Sequence, residues 1–323
     1  MTTSGRLTVK IPARIRALRC RVRAHANRTT ARVLIRRLAT ALRPLHRPLI
    51  GPLVCAPCTA GQLASPAFLR WTQELREPFQ LHRKLWEWTY VTQALDERGL
   101  LGPGRRGLGF AVGTEPLSAL FAARGCEVLA TDLHPAATTG DRAVWRETGQ
   151  HAANRELLNA RCVCPPGAFA ERVRLRYLDM TDVPDDLTGF DFVWSACALE
   201  HLGSLEAGMR FVERSLRCLK PGGVAVHTTE FNVLSDHATV EDGPAVIYRR
   251  RDIEELAGRV AALGCRMADR DYFAGDTPAD WRPDYYPYGS RPHVKVYLFG
   301  FVATSFGLII EKPIDAPANG RGI

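Results

Sequence analysis

Apolar positions in this chain follow two periods. From about residue 105 onward, short apolar or alternating runs are separated by stretches in which apolar residues recur every three or four positions, so strands are expected to alternate with helices. The segments ending in GLGF, CEVLAT, FDFVWSA and GVAVHTTEF read as buried strands, and RVRLRYLDM alternates like a half-buried one. Between them, Leu117, Leu120 and Phe121 share one helical face, as do Leu205, Met209, Val212, Leu216 and Leu219. Helical spacing also covers residues 140–159, is broken by RCVCPPGAF, and returns in RRDIEELAGRVAALG. Lys220, Pro221, Gly222 and Gly223 are expected to stop the preceding helix. Two further β segments are expected between Cys265 and Lys312. Upstream, LHRKLWEWTYVTQALDERGLL predicts a helix ended by Gly99 and Pro103, with Trp86, Trp88 and Tyr90 packing beside the first strand or covering a ligand. Repeated βα units imply a doubly wound, mostly parallel sheet with helices on both faces and ligands at the C-terminal strand ends.

Charge divides the chain. No Asp or Glu precedes Glu74, while fourteen Arg or Lys residues run from Arg6 to Arg70; since the whole chain carries +9, the remainder carries −5. Residues 1–73 are therefore expected to form a basic, poorly ordered arm, and residues 74–323 the folded domain, with 74–104 as a helical lid or packing segment. ARVLIRRLATAL in the arm sets Leu34, Leu38 and Leu42 opposite Arg36 and Arg37. That pattern suits an anionic membrane surface or nucleic acid; a solvated arm and a targeting peptide are the alternatives. No transmembrane segment is expected, because the longest apolar stretch, 296–310, is interrupted by Gly, Thr and Ser. Nine scattered cysteines indicate a reducing, cytoplasmic setting, with peripheral membrane attachment through the arm as a variant. Cys55 and Cys58 form a CxxC, but Cys162 and Cys164 lack the spacing of a zinc module, so no metal site is expected.

The chemistry begins at GLGFAVGTE. Gly109 and Gly113 fit a turn where backbone meets ligand, Thr114 can cap the next helix, and Asp132 closes the second strand about twenty residues on, where nucleoside-binding folds hold a ribose. Two cofactors compete for such a unit, S-adenosylmethionine and NAD(P). Glu115 sits where a pyrophosphate would rest on the helix N-terminus; a carboxylate there repels a diphosphate and tolerates a sulfonium or an ammonium.

The order of these pieces resembles the class I, Rossmann-like S-adenosylmethionine-dependent methyltransferase superfamily. GLGFAVGTE stands for its first turn, Asp132 for the acid closing strand two, Asp179 for the acid after strand three, FDFVWSACALEHL for strand four running into LEHL, and residues 219–223 for the LKPGG helix end. ATSFGLIIEK resembles the closing antiparallel strand. The resemblance covers about residues 105–312 and implies an α/β fold with a seven-stranded sheet, one strand antiparallel. It also implies S-adenosylmethionine as cofactor, with Gly109, Gly113, Glu115, Asp132 and Asp179 as its contacts. The first turn departs from the family pattern, with Gly109 for the usual acid, Ala111 for the first glycine and Glu115 for the last. Methyl transfer is the implied reaction; a small-molecule or glycan-like acceptor, methylated at oxygen, is expected because the folded body has no basic footprint, with His201 and Glu230 as catalytic candidates and His227 beside them. Arg249, Arg250 and Arg251, and Tyr285, Tyr286 and Tyr288, are further acceptor-side candidates. An NAD(P)-dependent oxidoreductase and a noncatalytic methyltransferase-like binding module are the alternatives.

Overall fold

A computed structural model of the chain describes residues 52–137, 149–289 and 292–314, with Val33 and Glu147 besides. One sheet organises it. Strands β1 (Ala56–Pro57), β2 (Arg106–Gly109), β3 (Glu127–Asp132), β4 (Val173–Tyr177), β5 (Phe190–Ala196), β6 (Leu219–Asn232), β7 (Arg266–Met267), β8 (Val296–Leu298) and β9 (Phe301–Glu311) lie in the order β1-β9-β6-β5-β2-β3-β4, with β7 and β8 also on β9. Strands β2 to β6 run parallel, and β9 is antiparallel to each of its four neighbours, so β9 alone runs against the rest. The expected seven strands are all present. The two additional ones, β1 and β8, are too short to show a period, and with β7 they cover the outer edge of β9, which would otherwise offer unpaired backbone.

The helices follow from local signals. Helices α1 (Ala60–Leu63), α2 (Pro66–Glu74), α3 (Arg83–Asp96), α4 (Leu117–Ala123), α5 (Pro166–Arg172), α6 (Leu205–Arg217) and α7 (Arg250–Ala262) complete the fold. Helix α6 is capped by the Ser204 hydroxyl, which accepts from Ala207 N at 3.1 Å, and it buries the predicted Leu205, Met209, Val212 and Leu216 face. Helix α3 is capped by His82 Nδ1, which accepts from Lys84 N at 3.1 Å, and it is buried on nearly all sides. That burial brings its Lys84, Glu87 and Trp88 to the strand ends. In the core, Phe121 meets Phe192 and Trp194 edge to face, and Phe110 meets Phe211 in the same way.

Several boundaries differ from expectation. The arm does not reach residue 73: Cys55, Cys58, Leu63, Phe68 and Trp71 are core residues. Ala60 N donates to Asp280 Oδ1 at 2.8 Å, Trp86 Nε1 to Gln62 Oε1 at 2.9 Å, and the Tyr90 hydroxyl to Val54 O at 2.8 Å. Lack of acidic residues marked charge here, not disorder. The arm helix at residues 31–42 lies outside the described residues apart from Val33. Of the helical stretch at 140–159, the structure shows a 3₁₀ turn at Arg155–Asn159, while 138–146 and 148 lie outside the description. PPGAF, read as a breaker, instead opens α5, with proline in its first turn where no amide partner is needed. Thr114 does not cap α4; its hydroxyl donates to Gly149 O at 3.1 Å. Helix α6 already ends at Arg217, and the KPGG segment is accommodated in β6, where pairing with β5 shifts register between Phe190 and Phe192.

Candidate active site

At the C-terminal ends of β2, β3, β4 and β5 the chain encloses a cavity of about 440 Å³. Its first half is built by the βαβ unit. Gly113 holds a left-handed backbone (φ +54°), and a Cβ there would lie 2.4 Å from Gln150 O, so only glycine fits. Asp132 is almost wholly buried. Its Oδ2 accepts from Gly113 N at 3.2 Å and Ala152 N at 2.9 Å, and its Oδ1 from Leu133 N at 2.8 Å. Burial raises its pKa against the pull of those amides. The carboxylate thus ties the glycine turn to the segment after β3, and Oδ1, with one amide, keeps a second lone pair. Asp179 borders the cavity and orders its own loop, accepting from Thr181 N at 2.9 Å and Thr181 Oγ1 at 2.7 Å.

The second half is charged and partly buried. Glu115 and Lys84 line the cavity side by side, with Lys84 Nζ 3.3 Å from Glu115 Oε1, 2.7 Å from Glu87 Oε2 and 3.3 Å from Ala196 O. Burial raises the Glu115 pKa to about 7 against the opposing pull of Lys84. The Trp88 indole also favours the ionised form, although neither its Nε1 nor Glu115 Oε2 completes a hydrogen bond by geometry. Burial acts on Glu87 in the same sense, but Lys84 and Arg83 overcome it and hold that carboxyl below its usual range. Ser305 Oγ donates to Glu87 Oε1 at 2.5 Å. Arg83 is ion-paired to Glu230. Beside that pair stand Cys197, which borders the cavity, and Glu200, fully buried and raised to about 8 by desolvation and the nearby Glu230 charge. His201 also lines the cavity. Its Nδ1 lies 2.8 Å from Pro244 O, and because a carbonyl only accepts, Nδ1 carries the proton and Nε2 the lone pair. Burial lowers its pKa to about 4.

Residues 108–227 match a family model described as a methyltransferase domain. The chain carries a class I, S-adenosylmethionine-dependent methyltransferase domain. No curated protein sequence matches it. Among solved structures, one described as a sarcosine dimethylglycine methyltransferase from Galdieria sulphuraria is 14% identical, with a TM-score of 0.44, covering 77% of this chain and 99% of that one. Magnesium protoporphyrin IX methyltransferase from Synechocystis PCC 6803, with S-adenosylhomocysteine bound, is 12% identical (TM-score 0.41, 77% of this chain and 96% of that one). Phosphoethanolamine N-methyltransferase 2 from Haemonchus contortus, with S-adenosylmethionine, is 17% identical (TM-score 0.41, 68% and 51%). Likenesses at this level leave the acceptor of the methyltransferase open.

Within the methyltransferase cavity the structure brings together Gly113, Glu115, Asp132, Asp179 and His201. Gly109 does not line it. A Cβ at that position would lie 2.3 Å from the Trp194 ring, so this glycine serves sheet packing. Glu230 is close by but sits behind the wall, bound to Arg83. His227 belongs to the core: it is fully buried, hydrogen-bonded to Ser195 Oγ at 2.8 Å and Ser215 Oγ at 3.1 Å, and desolvation lowers its pKa to about 3. Arg249 is consumed by Asp252 and Glu241, and Arg250 lies over Tyr272, so neither lines the cavity. Arg251 pairs with Glu241 at 3.6 Å at the surface. Tyr285 stacks on Tyr297, while Tyr286 and Tyr288 are exposed. Sequence reasoning missed Lys84, Glu87, Cys197 and Glu200. For Glu200 the signal was present, an acid beside His201 in LEHL; the other three are joined only by the fold.

Proposed function

We propose that this methyltransferase moves a methyl group from S-adenosylmethionine to a hydroxyl of a small-molecule or glycan-like acceptor. The observation that carries the reading is the two-part cavity: a glycine turn with two strand-end acids at one end, and a tautomer-fixed histidine at the other. S-adenosylmethionine, when bound, supplies a methyl group on a sulfonium. Asp132 Oδ1 then takes a ribose hydroxyl with its remaining lone pair, Asp179 faces the adenine amine, and Gly113 lets the cofactor approach the backbone. The Glu115–Lys84 pair fills the helix start where a dinucleotide would need room for its pyrophosphate, which favours the sulfonium cofactor over NAD(P).

His201 receives the acceptor's proton at Nε2. A base with a pKa near 4 is weak toward a neutral alcohol, but an oxygen that has begun to bond the methyl is far more acidic than the alcohol. Proton transfer at that stage runs downhill, and the imidazole stays unprotonated above about pH 5. Holding the two reactants in line supplies the larger part of the acceleration in such a displacement. Residues 1–51 extend the reading: their basic stretch is proposed to tether the enzyme to an anionic surface.

Calorimetric titration with S-adenosylmethionine and S-adenosylhomocysteine, followed by methyl-label transfer to hydroxyl and amine acceptors, tests this. Micromolar-range binding lost in Asp132→Ala, with label on oxygen, is the expected result. No heat with either ligand would sink the cofactor assignment, and label on nitrogen alone would sink the hydroxyl. For the tether, removal of residues 1–51 is expected to abolish binding to anionic vesicles.

A further inference from the structure

Behind the cavity wall, three side chains from different parts of the chain converge. Cys197 Sγ, one oxygen of Glu200 and one of Glu230 all lie within 4.8 Å of one another. Cys197 follows β5, Glu200 lies in the 3₁₀ turn Leu199–His201, and Glu230 is near the end of β6. A second observation points to something between them. Glu200 Oε1 and Glu230 Oε2 are both buried and both lack a hydrogen-bond partner, on side chains 1% and 5% exposed. An unpaired buried carboxylate oxygen costs several kcal/mol unless a cation or a proton meets it.

The rest of each side chain is already held. Thr229 Oγ1 donates to Glu200 Oε2 at 3.2 Å, Arg83 takes Glu230 Oε1, and Thr228 Oγ1 and Ser305 Oγ each lie 3.7 Å from Cys197 Sγ. Three donors, each braced from behind by an outer partner, are arranged as metal ligands usually are. The charge also fits. Glu87, Glu115, Glu200 and Glu230 stand in this cluster beside Arg83 and Lys84, so four carboxyls share two side-chain cations.

We propose that Cys197, Glu200 and Glu230 form a divalent-metal site of borderline-soft character, with zinc as its natural occupant. A thiolate among the ligands disfavours magnesium and calcium, and a three-ligand set leaves the fourth tetrahedral position for water or substrate. Donor atoms around a tetrahedral zinc lie about 3.5 Å apart, so side chains now within 4.8 Å of one another need draw together by only about 1 Å. Cys197 lines the cavity, so the site adjoins it. Resting on the hydroxyl reading above, the ion would bind the acceptor oxygen there and increase its acidity.

The test uses the full chain. After incubation with zinc and removal of the excess, one zinc per chain is expected to remain, measured by elemental analysis. Cobalt in its place is expected to give a thiolate-to-metal charge-transfer band. Cys197→Ser should abolish that band, and Cys197→Ser and Glu200→Gln should each weaken zinc affinity at least tenfold in chelator competition. Cys55→Ser, which alters the buried CxxC, should leave affinity unchanged. Calorimetry with S-adenosylmethionine reports separately on the fold and the cofactor pocket. Wild-type chain that binds S-adenosylmethionine but retains no zinc overturns the metal site alone, and so does zinc retained undiminished in Cys197→Ser. Zinc bound as expected without any S-adenosylmethionine binding overturns the function proposed above and leaves the site standing.

Discussion

Lys84→Met is the most exacting perturbation of the site. In the wild type the Lys84 ammonium lies 2.7 Å from Glu87 Oε2 and 3.3 Å from Glu115 Oε1, and Glu87 is fully buried. Methionine keeps the stem and removes the charge. Glu87 then retains the Ser305 hydrogen bond and the more distant Arg83, too little to offset desolvation. Removing one member of a buried pair costs about 3–5 kcal/mol, but the Lys84 side chain is 32% exposed and solvent screens it, so a loss of about 2–3 kcal/mol and of about 5–10 °C in Tm is expected. The pH dependence carries a definite sign. Glu87 is depressed below 4.5 in the wild type, so its contribution is fully present above that pH and is lost as pH falls through the folded pKa. In the variant its pKa is raised instead, so a penalty develops as pH climbs above 4.5 and the folded state must ionise a group that prefers its proton. Glu115, at about 7 even with Lys84 present, moves further the same way. Denaturant unfolding of both proteins should therefore show the full difference by about pH 8 and a gap that narrows as pH falls below 4.5 toward the folded pKa of Glu87. Adding Glu87→Gln to Lys84→Met should recover most of the loss. A difference under about 1 kcal/mol that does not change with pH would mean that Lys84 is effectively solvated, and the account of the cluster would fail.

Three further outcomes follow from the geometry. Gly113→Ala forces a side chain into a left-handed backbone and against Gln150 O, so S-adenosylmethionine affinity should fall at least tenfold by calorimetry while the far-ultraviolet spectrum stays native. Asp132→Asn places an amide donor against one of the backbone N–H groups that the carboxylate now accepts from; a stability loss of about 1–3 kcal/mol is expected in denaturant unfolding, with S-adenosylmethionine binding reduced as well. His227 stays neutral in the fold down to about pH 3, whereas the unfolded chain takes up that proton near pH 6.5, so stability should fall as pH drops between those values. His227→Gln should flatten that acid limb, and a limb of unchanged slope would remove His227 as its source.

How much of this was legible depends on how far apart the cooperating residues lie in the chain. Gly113 and Asp132 belong to a single βαβ unit, so the spacing that made the motif also made the contact, a 3.2 Å hydrogen bond from Gly113 N to Asp132 Oδ2. The mostly parallel, doubly wound sheet was implied by the repeated βα units, because parallel neighbours need a crossover between them. Strands β1, β7 and β8 have two or three residues each, and no periodicity can show in so few. The charged cluster was the least visible part. Arg83, Lys84 and Glu87 look in sequence like the polar positions of an amphipathic helix, and only the burial of α3 against the strand ends turns them inward. Glu230 lies near the C-terminal end of β6, where ligands on such a sheet bind, but nothing local to it announces Arg83.

The departure of the first turn from the family pattern now has a physical content. The acid expected at residue 109 has no room, since the Trp194 ring from the neighbouring strand occupies the space a side chain would need. Ala111, where the family has glycine, still adopts a positive φ of 46°, so the turn keeps its path despite the added methyl group. At residue 115 the new carboxylate is met by Lys84 from α3, an element outside the βαβ unit. These substitutions are coupled to particular partners, a tryptophan that fills a space and a lysine that answers a charge. Glu115 in the turn and Lys84 on α3 together place a charged pair at the cavity, where the family pattern has a glycine.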